Sequence, residues 1–260
     1  MKAYQPAVLI AAWLSLNAAQ ALQLYTEEYP PLSFSHEGHI HGLAPEVVSE
    51  LLKRLDRKAE IHVVPWSRAY HSAQNNPDTA AFVTMRTAER EPLFKWVGPI
   101  MVSMDSFYAL KTTDISIRND QELAQIDNIA VPRDWFSYQE LHADGMKNLL
   151  GVTEPAQMFH LLRQGRVKLI LADNLSFHAQ GNAAPLVGHL SRQDVKAVYP
   201  YRRAYGYISF WKGTDDNEIE RWQKALDEMK RDGTFRKIYQ RWLPGEEVPG
   251  LRSPSPVTSR

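Results

Sequence analysis

The amino-acid sequence predicts an α/β protein built on mainly parallel sheets, and three observations support this class. Short apolar runs typical of buried strands alternate with amphipathic helical segments along most of the chain. Hydrophobic residues make up 44% of the sequence and aromatic residues 10%, as in a globular protein with a substantial core. The length of 260 residues allows one large domain or two ordinary domains.

The first part of the chain alternates strands with helices. The clearest helix is Leu43–Leu55, whose apolar residues recur at helical spacing behind Pro45 in the first turn. The order strand, helix, strand, helix, strand favours a parallel sheet. The predicted strands are Leu22–Thr26, Ile61–Val64 and Thr79–Met85, and the predicted helices are Leu43–Leu55 and a segment that begins at Trp66.

A second α/β round follows and ends in two helices. The segments Asp105–Ser116 and Tyr199–Tyr205 separate the two rounds, which predicts two lobes joined by a paired hinge, and ligands favour clefts between lobes. From Pro244 onward the composition indicates a loose tail. The predicted strands are Ser106–Leu110, Asn128–Val131, Val167–Ala172, Val195–Tyr199 and Tyr205–Trp211, and the predicted helices are Trp135–His142, Glu154–Gln164, Asn217–Arg231 and Thr234–Leu243.

The N-terminal segment 1–21 indicates a cleavable secretory signal peptide. Lys2 supplies a positive charge, Ala7–Leu14 an apolar stretch, and Ala19–Ala21 a small-x-small cleavage site. The alternative is a buried core helix. The sequence contains no cysteine, so it offers neither a disulfide nor a lipid-attachment site after the signal, and no other apolar run reaches the ~18 residues that span a bilayer. We expect a soluble protein in the periplasm of a bacterium with two membranes, not embedded in a membrane.

Charge and motifs argue against several classes of function. The formal net charge is zero, whereas a nucleic-acid-binding protein usually has a basic excess. No nucleophile elbow, zinc-protease motif, phosphate-binding loop or dinucleotide-binding glycine pattern is present. His36, His39 and His41 in "SHEGHIH" suggest a metal site, but nothing beyond Glu37 completes a ligand set, so we interpret this segment as an exposed turn. We expect no cofactor and no metal ion.

Two arginines follow the apolar strand that ends at Met85, in "VTMRTAEREPLFKWVGP" (residues 83–99). A guanidinium binds a carboxylate through two parallel charge-assisted hydrogen bonds, which lysine cannot reproduce. The residues alone leave two interpretations open. Arg90 is either an anion-binding group or a surface arginine paired with Glu89 or Glu91, and Arg86 is either a second cation in a cleft or a brace for the loop.

Four segments, in this order and spacing, resemble the periplasmic solute-binding proteins of the amino-acid type, family 3. They are "YTEEYPPLSF" with "EGHIHGLAPEVVSELLKRL", "VPWSRAYHSAQ" with "TAAFVTMRTAEREPLFKWVGPI", "RQGRVKLILADN", and "DNEIERWQKALDEMKRDGTFRKIYQRWL". The resemblance covers nearly all of residues 22–243. It implies a two-lobed periplasmic-binding fold of type II, in which each lobe is a mainly parallel sheet flanked by helices. Lobe 1 would comprise residues 22–110 and 203–245, lobe 2 residues 111–202, and a flexible tail residues 246–260.

The resemblance also implies a binding site. Arg90 corresponds to the family position that holds a ligand carboxylate, with Thr87 adding a hydroxyl, and Asp173 to the position that pairs with a ligand ammonium. The alternative for Asp173 is an N-cap for residues 174–180. Tyr29 and Trp66 correspond to positions that wall the pocket, although either ring could instead fill the core.

One segment departs from the family pattern. Relatives that bind amino acids usually carry a small Gly-Thr or Gly-Ser pair where this chain has Trp135 and Phe136, in "VPRDWFSY", and Lys168 replaces an aspartate of the motif in the second lobe. Either Ser137 takes over the role of the small pair or this lobe recognises a different group. The predicted ligand-binding residues are Arg90, Thr87, Arg86, Asp173, Tyr29, Trp66, Trp135 and Ser137.

We therefore expect a periplasmic binding protein, not an enzyme, that captures a small polar solute with a carboxylate, most simply an amino acid. It would act as a monomer and deliver the solute to an inner-membrane ABC permease. One alternative is an enzyme of the cyclohexadienyl or arogenate dehydratase type on the same fold, with Glu27, Glu28 or Asp134 as the general acid. Another is a sensory protein that contacts a second receptor.

Overall fold

The computed structural model describes residues 21–251. The predicted signal peptide, except Ala21, and the last nine residues of the predicted tail lie outside this part of the chain. Ten strands are present in it: β1 (Leu22–Thr26), β2 (Phe34–His36), β3 (His39–His41), β4 (Ala59–Val63), β5 (Thr79–Met85), β6 (Phe94–Leu110), β7 (Ile129–Pro132), β8 (Leu149–Val152), β9 (Leu169–Asp173) and β10 (Val195–Trp211).

Seven α-helices accompany these strands within residues 21–251. All helices predicted from the sequence are present, and the ends that were predicted differ by at most one residue. Strands β2, β3 and β8 and helix α3, of three or four residues each, were not predicted, because they are too short to show a periodic pattern and lack the continuous apolar run that identifies β7. The helices are α1 (Leu43–Arg54), α2 (Trp66–Asn75), α3 (Asp120–Leu123), α4 (Phe136–Ala143), α5 (Pro155–Arg163), α6 (Asp216–Arg231) and α7 (Thr234–Trp242), and 3-10 turns cover Glu91–Leu93, Ser176–His178 and Gly181–Val187.

Eight strands form one mixed sheet in the order β4-β1-β5-β10-β6-β9-β7-β8. At one end β4, β1 and β5 are parallel, and at the other end β9, β7 and β8 are parallel. The antiparallel strands β10 and β6 lie between the two parallel groups. This arrangement confirms the predicted α/β class with a mainly parallel sheet. The positions of the lobe boundaries stay a prediction.

Strands β6 and β10 differ most from the sequence-based expectation. Each is a continuous strand of 17 residues, whereas the sequence predicts a start at Ser106 for the first and a break at Tyr199–Tyr205 in the second. The two strands pair along their whole length, with register shifts at Ala197/Tyr199, Pro200/Arg202 and Gly206/Ile208. Such bulges accommodate Pro200 and bend the strands. Pairing with β6 therefore maintains β10 as a strand in a segment where the local sequence alone does not favour one.

Helix α1 buries its apolar face, lies beside α6 and α7, and fixes the loop that carries Tyr29 through backbone hydrogen bonds. Its residues Leu43, Val47 and Leu51 are buried. Gly42 precedes the helix with φ 125°, and a Cβ atom there would lie 2.5 Å from the carbonyl oxygen of Leu32. The loop and the helix approach so closely only because residue 42 is a glycine.

Two further findings concern metal-binding groups and membrane-spanning helices. His36, His39 and His41 lie on the β2–β3 hairpin, and in residues 21–251 no group of three or more His, Cys, Asp or Glu is arranged to hold a metal ion. None of the helices described in this range is both long and apolar enough to cross a bilayer.

Candidate functional site

A cavity of about 40 Å³ lies where the two parallel strand groups approach each other. Residues that follow β1 and β5 line it from one side, and residues at the end of β9 and the start of α4 line it from the other. Ligand sites of open α/β sheets commonly form at the carboxyl ends of strands. The lining residues are Glu27, Tyr29, Trp66, Val83, Met85, Arg90, Asp105, Trp135, Phe136, Ser137, Leu171, Ala172 and Asp173.

A larger cleft of about 790 Å³ adjoins this cavity. Arg90 and Phe136 line both spaces, so these two side chains form the partition between them. Thr87 is buried and lines the larger cleft, not the cavity, and its Oγ1 accepts a hydrogen bond from the Arg90 backbone N–H at 3.4 Å. If Thr87 contacts a ligand, it does so from the side of the larger cleft.

The Arg90 side chain is buried among aromatic rings. Its guanidinium carbon lies 5.0 Å from the ring centre of Tyr70 and 5.8 Å from those of Trp66 and Phe136. Nη1 donates to the carbonyl oxygen of Met85 at 3.4 Å. Within residues 21–251, no carboxylate oxygen lies within 4.0 Å of its nitrogens. Burial lowers the pKa of Arg90, which means that the charged guanidinium gains from an anionic partner.

The neighbouring Arg86 is placed differently from Arg90. Arg86 donates from Nε and Nη2 to the two carboxylate oxygens of Glu91, each at 2.6 Å. Its guanidinium lies between the rings of Trp96 and Tyr207, at 5.6 and 5.2 Å from their centres. Arg86 therefore lies outside the cavity and braces the loop, while Glu91 is occupied by Arg86 and not by Arg90.

Asp173 ends β9 with a buried side chain. Its Oδ1 accepts from the backbone N–H groups of Leu175 and Ser176 at 2.8 and 2.9 Å. This resembles the capping alternative, but the element that follows is the 3-10 turn Ser176–His178 with Leu175 at its N-cap, and not a helix over 174–180. The same side chain also lines the cavity. The Ser176 hydroxyl donates to Tyr29 Oη at 2.6 Å and lies 3.1 Å from Asp173 Oδ1. Burial raises the pKa of Asp173, so its ionised form also gains from a partner of opposite charge.

Aromatic and helix-terminal residues close the remaining walls. Tyr29 and Trp66 are buried and line the cavity, as the resemblance implies. Trp135 precedes α4 and packs edge-on against Tyr29 with ring centres 4.9 Å apart. Ser137, in the first turn of α4, is buried and also lines the cavity. Of the eight predicted residues, six therefore meet at one cavity, and Arg86 and Thr87 do not.

Glu27 is a cavity residue that the sequence identifies only as one of three possible acids. The indole N–H of Trp135 donates to both of its carboxylate oxygens, at 3.1 and 3.2 Å. Burial raises the pKa of Glu27 to about 8, and the nearby carboxylates of Glu154 and Asp134 act in the same direction. Its position directly after a strand that ends in the site is the only sequence signal that could have distinguished it.

Asp105 is a second cavity residue, and its sequence position predicts only the start of a hinge segment. It is the one acid within the apolar strand β6, and this was the signal available. Its side chain is buried, and the Ser103 hydroxyl donates to Oδ1 at 3.1 Å. Burial and the charge of Asp173 raise the pKa of Asp105 to about 7. The cavity thus combines one guanidinium with three carboxyl groups.

The fold and this cavity define a two-lobed solute-binding protein. The profile of the bacterial extracellular solute-binding proteins, family 3, matches residues 23–245. The chain belongs to this family.

Curated relatives are similar over almost the whole chain. The L-cystine-binding protein TcyA of Bacillus subtilis (strain 168) is 21% identical over 243 residues, which cover 91% of this chain and 85% of the relative. The arginine-binding periplasmic protein of Mannheimia haemolytica is 21% identical over 239 residues, covering 88% and 93% of the two chains.

Solved structures show the same fold. One is an ancestral amino acid-binding protein that is a precursor of cyclohexadienyl dehydratase. It superposes with a TM-score of 0.72 at 21% sequence identity, over 86% of this chain and 95% of that chain. This likeness shows the fold; the ligand has to be argued from the residues of the cavity.

Proposed function

We propose that this protein is a periplasmic receptor that captures a small polar solute with a carboxylate, most simply an amino acid, and presents it to an ABC-type importer. The observation that carries this proposal is the buried guanidinium of Arg90, which has no carboxylate partner within 4.0 Å in residues 21–251 and lines the cavity. A buried unpaired charge is costly unless a partner arrives, and a ligand carboxylate is a geometric match for a guanidinium.

Asp173 supplies the second half of the proposed recognition. It lies across the cavity on the strand group opposite that of Arg90, and a ligand ammonium would compensate its buried charge. A zwitterion would thus be held by both strand groups at once. Because only differential affinity shifts a conformational equilibrium, a ligand that bridges both sides favours a closed form that a permease could recognise.

The relatives support the same class of ligand. The two curated relatives are named for binding cystine and arginine, both of which carry an α-carboxylate and an α-ammonium. The family is extracellular, and residues 1–21 have the pattern of a secretory signal. We infer from these points that the receptor is periplasmic, and we propose in addition that it is monomeric and does not alter its ligand.

A thermal-shift screen of the full mature chain against the protein amino acids and small carboxylates tests this proposal. The protein should first be unfolded, dialysed and refolded to remove any ligand carried through purification. A true ligand at 100 times its dissociation constant should add roughly 2.7 kcal/mol to the free energy of unfolding. The proposal fails if no amino acid raises the unfolding midpoint and calorimetry detects no binding.

A second candidate function is a dehydratase, and Glu27 is the observation that favours it. A carboxyl group in the cavity with a pKa of about 8 holds a proton at neutral pH and could protonate a leaving hydroxyl. Incubation with prephenate or arogenate, followed by absorbance, separates the two candidates. Product formation that depends on Glu27, and that is lost in Glu27→Gln, would establish the enzyme.

A further inference from the structure

Glu27 and Trp135 form a hydrogen-bonded pair across the cavity. Glu27 follows β1, whereas Trp135 precedes α4, so the bond connects the two sides of the site. The indole N–H lies 3.1 and 3.2 Å from the two carboxylate oxygens and is shared between them. Trp135 occupies the segment in which this chain departs from the resemblance, so the pair belongs to this chain's own recognition chemistry.

The cavity has more carboxyl groups than a ligand with a single ammonium group can match with positive charge. Arg90 would meet the ligand carboxylate and Asp173 the ammonium, while Asp105 lies opposite Asp173 in the sheet, where the charge of Asp173 disfavours its ionised form. Glu27 is then left without a positive partner. An ionised Glu27 without a cation would be unfavourable in a partly desolvated site.

Several charged groups surround Glu27, and together they disfavour its ionised form. Glu154 and Asp134, on the α5 and α4 sides, repel a negative charge there. Arg90 attracts it, but the guanidinium would be engaged by the ligand carboxylate. The Trp135 N–H stabilises the carboxylate without neutralising it.

We infer that Glu27 and Trp135 select an amino acid whose side chain carries a positive charge, and that they couple this charge to closure of the cavity. The inference rests on the proposed function, because it assumes that Arg90 and Asp173 hold the α-groups. A cationic side chain at Glu27 supplies the missing partner. The carboxylate then accepts a stronger, charge-assisted bond from Trp135 on the opposite side.

The proton balance of this step is simple. Free Glu27 is largely protonated at neutral pH, because burial raises its pKa to about 8. When a cationic side chain binds, Glu27 releases this proton to the solvent and becomes a carboxylate, while the ligand keeps its own charge. A neutral ligand side chain does not stabilise the Glu27 carboxylate, so Glu27 stays protonated. Binding of a cationic ligand should therefore release protons, and binding of a neutral one should not.

Matched ligand pairs test the inference without changing the α-groups. Arginine and citrulline are similar in length and shape but differ in charge. Lysine and norleucine form a second pair of this kind. Titration calorimetry at pH 7 should show that the wild-type protein prefers the cationic member of at least one pair by about tenfold or more, equivalent to about 1.4 kcal/mol. Glu27→Gln, which is nearly isosteric, should reduce that preference to about threefold or less.

Two further variants separate specificity from folding. Trp135→Phe keeps an aromatic ring against Tyr29 but removes the N–H, so it should lower the charge preference while leaving far-UV circular dichroism unchanged. Glu28→Gln is the matched control, because Glu28 adjoins Glu27 but does not line the cavity and instead accepts a hydrogen bond from the Ser35 N–H at 2.5 Å. This control should keep the wild-type preference.

Calorimetry in two buffers of different ionisation enthalpy supplies a second readout. At pH 7 we expect the wild-type protein to release ~1 proton for each cationic ligand that binds. Glu27→Gln should release almost none. Equal affinity for both members of each pair, or an undiminished preference in Glu27→Gln, would overturn the inference while leaving the proposed function intact. A complete failure of the amino-acid screen would overturn both.

Discussion

Asp105 lies directly opposite Asp173 in the antiparallel pairing of β6 with β9, and both side chains are buried in the wall of one cavity. Directly opposed like charges destabilise a sheet, and their burial adds to the cost. The pKa of Asp105 is accordingly raised to about 7, with burial as the main cause and the charge of Asp173 next. The protein retains this unfavourable pair at the position where a ligand cation would relieve it.

The ligand-free protein should lose stability as the pH rises from about 4 to 8. The folded pKa values of Asp105 and Glu27 are raised, from 3.8 to about 7 and from 4.5 to about 8. An acid with a raised folded pKa binds its proton more tightly in the folded state, so stability decreases as the pH rises between the unfolded and folded values. Urea unfolding in this pH range measures the effect.

Asp105→Asn supplies the comparison. The variant keeps the size of the side chain but cannot ionise, so its stability relative to the wild type should increase between about pH 4 and 7 and then level off. A difference that stays constant across this range would show that Asp105 has an ordinary pKa in the folded protein. Working with the difference between the two proteins cancels the contributions of titrating groups that do not interact with Asp105, so the difference reports Asp105 together with its neighbour Asp173.

Arg90→Ala should abolish ligand binding and leave the fold intact. The guanidinium has no carboxylate partner within residues 21–251, so its removal breaks no ion pair. Loss of a buried bidentate partner for the ligand carboxylate should cost about 2–5 kcal/mol of binding free energy. Titration calorimetry with a ligand found in the screen measures this loss.

Arg86→Ala is the matched control for this experiment. Arg86 is four residues away and equally charged, but it pairs with Glu91 outside the cavity. We expect its affinity to remain within about threefold of the wild type, that is, within about 0.7 kcal/mol. Comparable losses in both variants would mean that Arg90 acts through the loop and does not contact the ligand.

The sequence predicts the elements of this fold better than the chemistry of its site. Helical periodicity and apolar runs predict α1, α5, α6 and β5, because each has a local pattern. The sequence does not predict that β10 is continuous, because the segment around Pro200 becomes a strand only through pairing with the distant β6. Long-range pairing of this kind leaves no local signal.

The difference between local patterns and long-range contacts also explains which site residues could be predicted from the sequence. The resemblance brings together Arg90 and Asp173, since both follow strands and have defined positions in a motif. It cannot decide whether Glu91 pairs with Arg86 or with Arg90, which depends on the backbone of the turn between them. Nor can it show that Trp135 meets Glu27, because the two residues lie 108 positions apart.

Gly42→Ala should destabilise the protein and disturb the loop that places Tyr29. The new Cβ would lie 2.5 Å from the carbonyl oxygen of Leu32, and a backbone atom cannot easily move away. With the positive φ of 125°, we expect a loss of about 1–3 kcal/mol or more in the free energy of unfolding. Gly38→Ala has a positive φ but open space around it, so it should lose only about 1 kcal/mol. Similar losses in both variants would exclude the contact with Leu32 as the cause.

Glu246 connects the segment after α7 to the 3-10 turn beside Asp173. Its side chain is only 10% exposed. It accepts hydrogen bonds from Asn174 Nδ2 at 2.6 Å and His178 Nε2 at 2.8 Å, and Arg192 Nη2 lies 2.5 Å from it. Asn174 is the next residue after Asp173, so this carboxylate helps to hold one wall of the cavity.

Glu246→Ala should therefore lower both stability and ligand affinity. The variant leaves the donors of Asn174 and His178 without their acceptor, which we expect to reduce the free energy of unfolding by about 1–3 kcal/mol. Glu247→Ala is the control, because Glu247 is exposed and pairs with the partly exposed Arg203, a surface pair that contributes about 0–1 kcal/mol. Urea unfolding and titration calorimetry of both variants measure the two effects. Because Glu246 contacts Asn174 and His178 but does not line the cavity, a loss of stability without any loss of affinity would show that the position of Asp173 does not depend on this contact.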